Sequence, residues 1–127
     1  MQVRREVLLA AELEEVWDAL TKPEALRAWF SNEAELVPAP GGKGHFRWDD
    51  GSQRDAFVEA VEEQRMLVFR WGTSPEDESR VEIALEELEE GTRVSVTETA
   101  LGALARLGEW SGALVLLSLL VGTAASV

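Results

Sequence analysis

Between residues 33 and 99 the chain keeps to a two-residue period. Apolar and polar side chains alternate through short runs at 33–37, 43–48, 54–61, 65–71, 79–87 and 91–99, the repeat of strands that bury one face and wet the other. Turn chemistry separates the runs: Pro38-Ala39-Pro40-Gly41-Gly42, Asp49-Asp50-Gly51-Ser52, Thr73-Ser74-Pro75 and Glu89-Glu90-Gly91. Glu62-Glu63-Gln64 is the exception, a polar break with neither Gly nor Pro. Spacing this close implies sequential hairpins in an antiparallel meander.

The flanks have other periods. Val3, Arg5, Val7 and Leu9 alternate with Gln2, Arg4, Glu6 and Leu8, which gives a first strand. Leu13, Val16, Trp17 and Leu20 make one helical stripe over 12–20, with Glu12, Glu14 and Glu15 in the first turn, where the helix dipole favours negative charge. Thr21-Lys22-Pro23-Glu24 restarts a helix, the Thr21 hydroxyl capping it and Glu24 closing the capping box. Leu26, Trp29 and Phe30 form its apolar side. From about Ala103 a closing helix carries Leu104, Leu107, Trp110, Leu114, Leu117 and Val121 on one stripe. The order β-α-α-β-β-β-β-β-β-α predicts a single α+β domain over residues 1–127, a seven-stranded antiparallel sheet whose inner face the last helix covers. No linker, repeat or low-complexity segment interrupts it.

Charge narrows the function. Twelve Lys and Arg against 24 Asp and Glu leave a net charge of −12, which opposes a nucleic-acid module and disfavours docking on an anionic membrane. The chain has no cysteine, so disulfides, thiolate metal sites and cysteine nucleophiles are excluded. Met1-Gln2-Val3-Arg4-Arg5-Glu6 is charged too early for a secretory signal, and a cytoplasmic protein is expected. Ser111 to Val127 carries no charge, but it includes Gly112, Ser118, Gly122, Thr123 and Ser126 and has no basic flank, so it reads as part of the domain and not as an anchor.

Glu15-Val16-Trp17-Asp18-Ala19-Leu20-Thr21-Lys22-Pro23-Glu24-Ala25-Leu26 followed by Trp29-Phe30 resembles the SRPBCC (START-like) superfamily, and within it the activators of the heat-shock chaperone ATPase. Gly41-Gly42 before a strand, Arg65-Met66-Leu67-Val68-Phe69-Arg70-Trp71, Gly91-Thr92-Arg93-Val94 and Trp110 add to the likeness, which spans essentially the whole chain. Ala56 departs from a common glycine, Glu63-Gln64 from a proline, and the closing helix lacks a charged outer face. The resemblance implies a helix-grip fold, a curved sheet wrapped around a long C-terminal helix with an apolar cavity between them. Members bind lipids, polyketides, hormones or other hydrophobic molecules; a minority are enzymes, and eukaryotic relatives activate a chaperone.

Strand parity or helical phase turns Trp29, Phe46, Trp48, Phe69, Trp71 and Trp110 inward, beside Leu114. Such rings serve as core or as the wall of an apolar pocket. Glu98 follows Val94 and Val96 on the same strand face. A carboxylate there is costly unless paired, hydrated or protonated. It reaches water at the strand end, or it forms a polar anchor at a cavity mouth with Arg106 as a candidate partner. If it is partly desolvated, Glu98→Gln should raise stability. His45 alternates against Phe46 and Trp48 and so faces outward, and no second histidine completes a zinc set. Gly41-Gly42-Lys43-Gly44 lacks the spacing of a phosphate loop, Asp49-Asp50-Gly51-Ser52 that of a calcium loop, and no serine sits in a Gly-x-Ser-x-Gly elbow.

No metal or cofactor is called for, and no catalytic residue is assigned. The expected function is non-enzymatic binding of a small hydrophobic molecule. The alternatives are a co-chaperone-like interaction module acting through its acidic surface, and a cyclase or dehydratase using Glu98. On the outer side of the closing helix, Gly112, Val115, Leu116 and Leu119 recur at helical spacing as a second apolar stripe, with Ser111 and Ser118 small beside it. That stripe predicts a homodimer.

Overall fold

The computed structural model describes residues 1–122. In chain order the elements are β1 (Gln2–Leu9), α1 (Leu13–Thr21), α2 (Pro23–Trp29), β2 (Glu33–Leu36), β3 (Lys43–Arg47), β4 (Gln53–Glu62), β5 (Met66–Gly72), β6 (Ser79–Leu88), β7 (Gly91–Ala100) and α3 (Trp110–Val121). The seven strands form one antiparallel sheet in the order β1-β7-β6-β5-β4-β3-β2. From β2 to β7 every neighbour is a hairpin, and the first strand closes on the last. A register shift between Val58 and Ala60 bulges β4, which bends the strand and strengthens the twist of the sheet. The loop before β3 is pinned at that bend: Gly41 N–H donates to the Val58 carbonyl at 2.9 Å, and Val58 N–H to the Gly42 carbonyl at 2.8 Å.

The inner face is cut by parity. Val94, Val96 and Glu98 of β7, Val81, Ile83 and Leu85 of β6, and Leu67, Phe69 and Trp71 of β5 are all buried. The last helix does not cover this face alone, as the sequence had predicted. The two short helices share the work: α1 buries Val16, Trp17, Ala19 and Leu20, and α2 buries Leu26 and Trp29. Trp29 Nε1 donates to the Ala19 carbonyl at 2.8 Å and holds the two helices together.

Two further local expectations are corrected. The Thr21 hydroxyl does not cap α2; it donates back to the Trp17 carbonyl at 2.8 Å. Pro23 takes the first helical position, so the cap falls on Lys22, which makes no side-chain cap bond. The closing helix begins at Trp110 and not near Ala103. The residues before it are claimed by the Pro75–Asp77 turn: Leu101 and Gly102 N–H both donate to the Glu78 carbonyl at 2.9 Å, and Leu104 N–H to the Glu76 carbonyl at 2.8 Å. Bonds to a distant turn replace the helical ladder, and Leu104 is left 67% exposed, off the buried stripe. Trp110, Leu114 and Leu117 keep to that stripe. Among the described residues no helix is long and apolar enough to cross a membrane; the uncharged C-terminal stretch extends into 123–127, outside the described residues.

The break at 62–64 forms without glycine because Gln64 itself takes the left-handed region, at φ 63°, and Arg65 N–H closes the turn on the Glu62 carbonyl at 2.9 Å. That conformation costs a residue with a Cβ about 1–2 kcal/mol, against about 0.5–1 kcal/mol of extra chain entropy for glycine. Gln64→Gly is therefore expected to raise the thermal midpoint by a few degrees, read by calorimetry. An unchanged or lower midpoint would show that the turn carries no strain.

Candidate functional site

Glu98 lies wholly inside the fold, at 0% exposure. Its two oxygens collect donors from five residues. Trp71 Nε1 of β5 donates to Oε2 at 2.8 Å, and the Ser79 hydroxyl of β6 at 2.5 Å. Trp110 Nε1 of α3 donates to Oε1 at 2.8 Å, and the Gly108 N–H at 2.5 Å. Arg54 of β4 brings the countercharge, with Nη1 at 3.5 Å from Oε2. The same guanidinium lies 4.5 Å from the centre of the Trp71 ring and donates through Nη2 to the Arg106 carbonyl at 2.7 Å.

This corrects two expectations. Glu98 is neither at water nor at a cavity mouth; Trp71, Trp110 and Arg54 all bond to it. Its partner is Arg54, while Arg106 contributes a backbone carbonyl. The sequence carried a signal for Arg54, since it shares strand parity with buried Ala56 and Val58 and faces Phe46 across the β3–β4 pair. An inward arginine and an inward glutamate on one sheet answer each other.

The aromatic residues meet directly in front of that network. Phe30, the residue that caps α2, sits at the centre: its ring lies 5.2 Å from Trp29, 5.4 Å from Phe46, 5.5 Å from Trp48, 5.8 Å from Trp71 and 5.6 Å from Trp110. It runs nearly parallel to Trp71 and Trp110, at 14° to each. Sequence reading placed Phe30 on the apolar side of its helix without giving it a role at the site. The signal was its place beside Trp29 at the helix end.

Two spaces border these rings. Inside, Leu20, Leu36, Phe46, Leu67 and Phe69 leave a void of about 20 Å³, closed by Trp29, Phe30 and Trp110. That holds no ligand; the inner rings are packed core. Outside the same three residues an open cleft of about 600 Å³ runs past Trp48 and Trp71 to Arg54, Arg106 and Leu116. Asp50 and Glu109 lie on its rim. The Ser52 hydroxyl and backbone N–H hold the Asp50 carboxyl below the usual aspartate range. Trp48 Nε1 is anchored to the Phe30 carbonyl at 2.8 Å. Of the residues the sequence marked for ligand binding, Trp48 and Trp71 line the cleft, Phe46 and Phe69 the void, and Trp29 and Trp110 both. Leu114 is buried but lines neither. His45 bonds to Asp55 at 2.7 Å between neighbouring strands, on the face of the sheet opposite Phe46.

A curved antiparallel sheet closed by helices over an aromatic interior places the protein in the helix-grip class of α+β domains. The chain belongs to the Activator of Hsp90 ATPase homolog 1-like family, whose profile matches residues 10–111. No curated protein matches the sequence. Among solved structures, a protein from Mesorhizobium loti is similar at 24% identity, covering 94% of this chain and 96% of that one, with a TM-score of 0.84. DynU16, a protein in the dynemicin biosynthetic locus, is 28% identical over 94% of this chain but 43% of its own, with a TM-score of 0.72. The Aha1 dimer from Colwellia psychrerythraea is 20% identical over 95% and 93%, with a TM-score of 0.76.

Since every contact of Glu98 is a donor, an amide in its place would turn an NH₂ towards one of them and leave the Arg54 charge without its partner. Breaking one side of such a pair costs about 3–5 kcal/mol when fully buried, and Arg54 is 22% exposed, so about 2–4 kcal/mol is expected. Glu98→Gln should therefore lower the thermal midpoint, reversing the gain expected from the sequence. A midpoint equal to or above wild type would show that the network is not stabilising.

Proposed function

We propose that the protein is a non-enzymatic binding domain that receives a small hydrophobic molecule in the cleft between Trp48, Phe30 and the start of α3. The observation that carries this reading is the cleft itself: about 600 Å³, aromatic on its floor and supplied with guanidinium groups at one end, as small-molecule sites are built from apolar walls and a few polar groups. DynU16 shares the fold at 28% identity and belongs to a biosynthetic locus, a setting that supplies organic ligands. An enzymatic role for Glu98 is disfavoured because neither of its oxygens reaches the cleft surface and a general acid or base must touch its substrate. Calorimetric titration with naphthalene-2-carboxylate should give saturable one-site binding, weakened about tenfold in Trp48→Ala by loss of a ring contact. Absence of saturation at millimolar probe would remove the small-molecule reading.

A second observation favours self-association. Val115, Leu116, Leu119 and Leu120 are 58%, 50%, 77% and 48% exposed on α3, and Gly112 is exposed beside them. The helix carries no charge from Trp110 to Val121, so at a net charge of −12 it is a surface on which two copies can meet without like charges. The neighbouring hydroxyls are satisfied locally: Ser111 accepts from Arg5 Nε at 2.9 Å and Ser118 donates to the Val115 carbonyl at 2.7 Å. We infer a homodimer through Gly112, Val115, Leu116 and Leu119, of which Gly112 and Leu116 also line the cleft, so that the partner copy would border its α3 side; the reading is supported by the dimer of the Colwellia psychrerythraea relative. Val115→Glu with Leu119→Lys should yield a folded monomer. Light scattering that finds the wild type monomeric at high micromolar concentration would overturn the dimer.

A further inference from the structure

The inner void and the outer cleft share Trp29, Phe30 and Trp110 as their common wall, and those three residues are not held alike. Trp29 is fixed by its indole N–H to the Ala19 carbonyl and Trp110 by its own to Glu98. The two tryptophans on the cleft side are fixed too, Trp48 to the Phe30 carbonyl and Trp71 to Glu98 and Ser79. Phe30 has no polar atom with which to be anchored. It is also the half-buried ring of that wall, and its backbone stands at the end of α2 with φ −103° and ψ −58°, where no helix continues to confine the side chain. Phe46 and Phe69, which equally lack polar anchors, lie buried within strands on the void side.

We propose that Phe30 is the gate of the ligand site: its ring swings towards the cleft, and a flat aromatic ring of the ligand takes its place beside the Trp71–Trp110 pair, whose rings lie 5.8 Å apart, reaching the inner void. The proposal rests on the cleft-binding reading and deepens it by naming the ligand class, a compact aromatic acid. The ring is defined by what it replaces, a phenyl group among five other aromatic rings at 5.2–5.8 Å. Vacating such a position leaves an apolar space comparable to the ~150 Å³ cavity that takes up benzene. The acidic end is defined by Arg106. Its side chain makes no hydrogen bond or ion pair among the described residues, whereas Arg54 is committed to Glu98 and to the Arg106 carbonyl. An inserted ring leaves its substituent in the cleft, where the Arg106 guanidinium can meet a carboxylate.

The test uses naphthalene-2-carboxylate with wild type, Phe30→Ala, Phe30→Leu and Phe69→Ala, reading affinity by calorimetry and position by NMR contacts between probe ring and methyl groups. Leu36 and Leu67 report the void, Leu116 the cleft. A gate predicts about tenfold tighter binding in Phe30→Ala, contacts from the probe to Leu36 and Leu67, and no such gain in Phe69→Ala, which enlarges the void without opening it. Arg106→Gln should weaken the acid and leave 2-methylnaphthalene unaffected. Phe30→Leu, which keeps more packing, should show the same direction if Phe30→Ala does not fold. Equal affinity in wild type and the Phe30 variants, with contacts to Leu116 alone, would overturn the gate and leave the cleft reading standing. An equal gain in Phe69→Ala would also overturn it. Binding in the Phe30 variants with inner contacts, but none in wild type, would show that truncation made the space and that the native ring does not open, which overturns the gate and the cleft reading together. Binding in none of the proteins overturns both.

Discussion

One carboxylate organises the end of this fold where the cleft opens. Glu98 receives Trp71 from β5, Ser79 from β6, Gly108 from the loop before α3, Trp110 from α3 and the charge of Arg54 from β4. An unpaired charge at that depth would be expelled or neutralised; five donors make it tolerable, and each donor in turn depends on it. Replacing the carboxylate by an apolar group of like shape would orphan the Trp110 indole N–H, the Ser79 hydroxyl and the Gly108 amide and strip Arg54 of its countercharge, leaving Trp71 only Ser79 and Arg54 only the Arg106 carbonyl. That asymmetry, in which making the network is worth modest energy and breaking it is expensive, explains how a residue so ill-suited to a core is retained in one.

The network also sets where α3 begins. Gly108 must bring its backbone N–H to Glu98, and a Cβ at that position would stand 3.0 Å from Trp110 Nε1 and 3.3 Å from Glu98 Oε1. Upstream, the backbone is taken by the carbonyls of Glu76 and Glu78. Between these two claims residues 103–109 have no helical ladder available, whatever their propensity. The segment instead forms one wall of the cleft, with Arg106 and Leu107 along it. The polar interior therefore shapes the apolar opening, by fixing the chain that borders it.

How much of this could be read from the residues depended on whether the cause was local. The strands were legible because parity and turn chemistry act over two to five residues, and even the glycine-free break at 62–64 came out in place. The inward direction of Trp71, Phe69 and Glu98 followed from the same parity. What failed was whatever rested on distant partners. Helical phase extended α3 back to Leu104 because periodicity cannot see a competing turn about 25 residues earlier. The Thr21 cap failed by one position, since Pro23 fixes the first helical residue and hands the cap to Lys22. Glu98 was recognised as costly but left at water or at a cavity mouth, because its answering arginine lies on another strand, 44 residues away. Void size was not legible at all: it depends on how Phe30 fills the space between rings contributed by four separate elements.

Charge gives the cleft a character of its own. At −12 overall the protein's long-range field repels an approaching anion, but at physiological salt that field is screened beyond about 8 Å. Selectivity for an acid must then come from groups met inside that distance. Asp50 and Glu109 are on the rim with Arg106. The Asp50 carboxylate is already turned into its own loop by Ser52, which blunts its repulsion without removing it. Arg54 is drawn inward by Glu98, so among the described residues the mouth keeps one uncommitted cation, Arg106, facing an aromatic floor. A ligand whose charge sits at one end of a flat ring satisfies both; a neutral ring forgoes the cation, and a compact anion without a ring forgoes the floor. Adding salt weakens the distant repulsion first, because a guanidinium contact at a few ångströms lies well inside the screening length. Association of such a ligand should thus be helped by moderate ionic strength, the reverse of a site that captures anions through a basic surface.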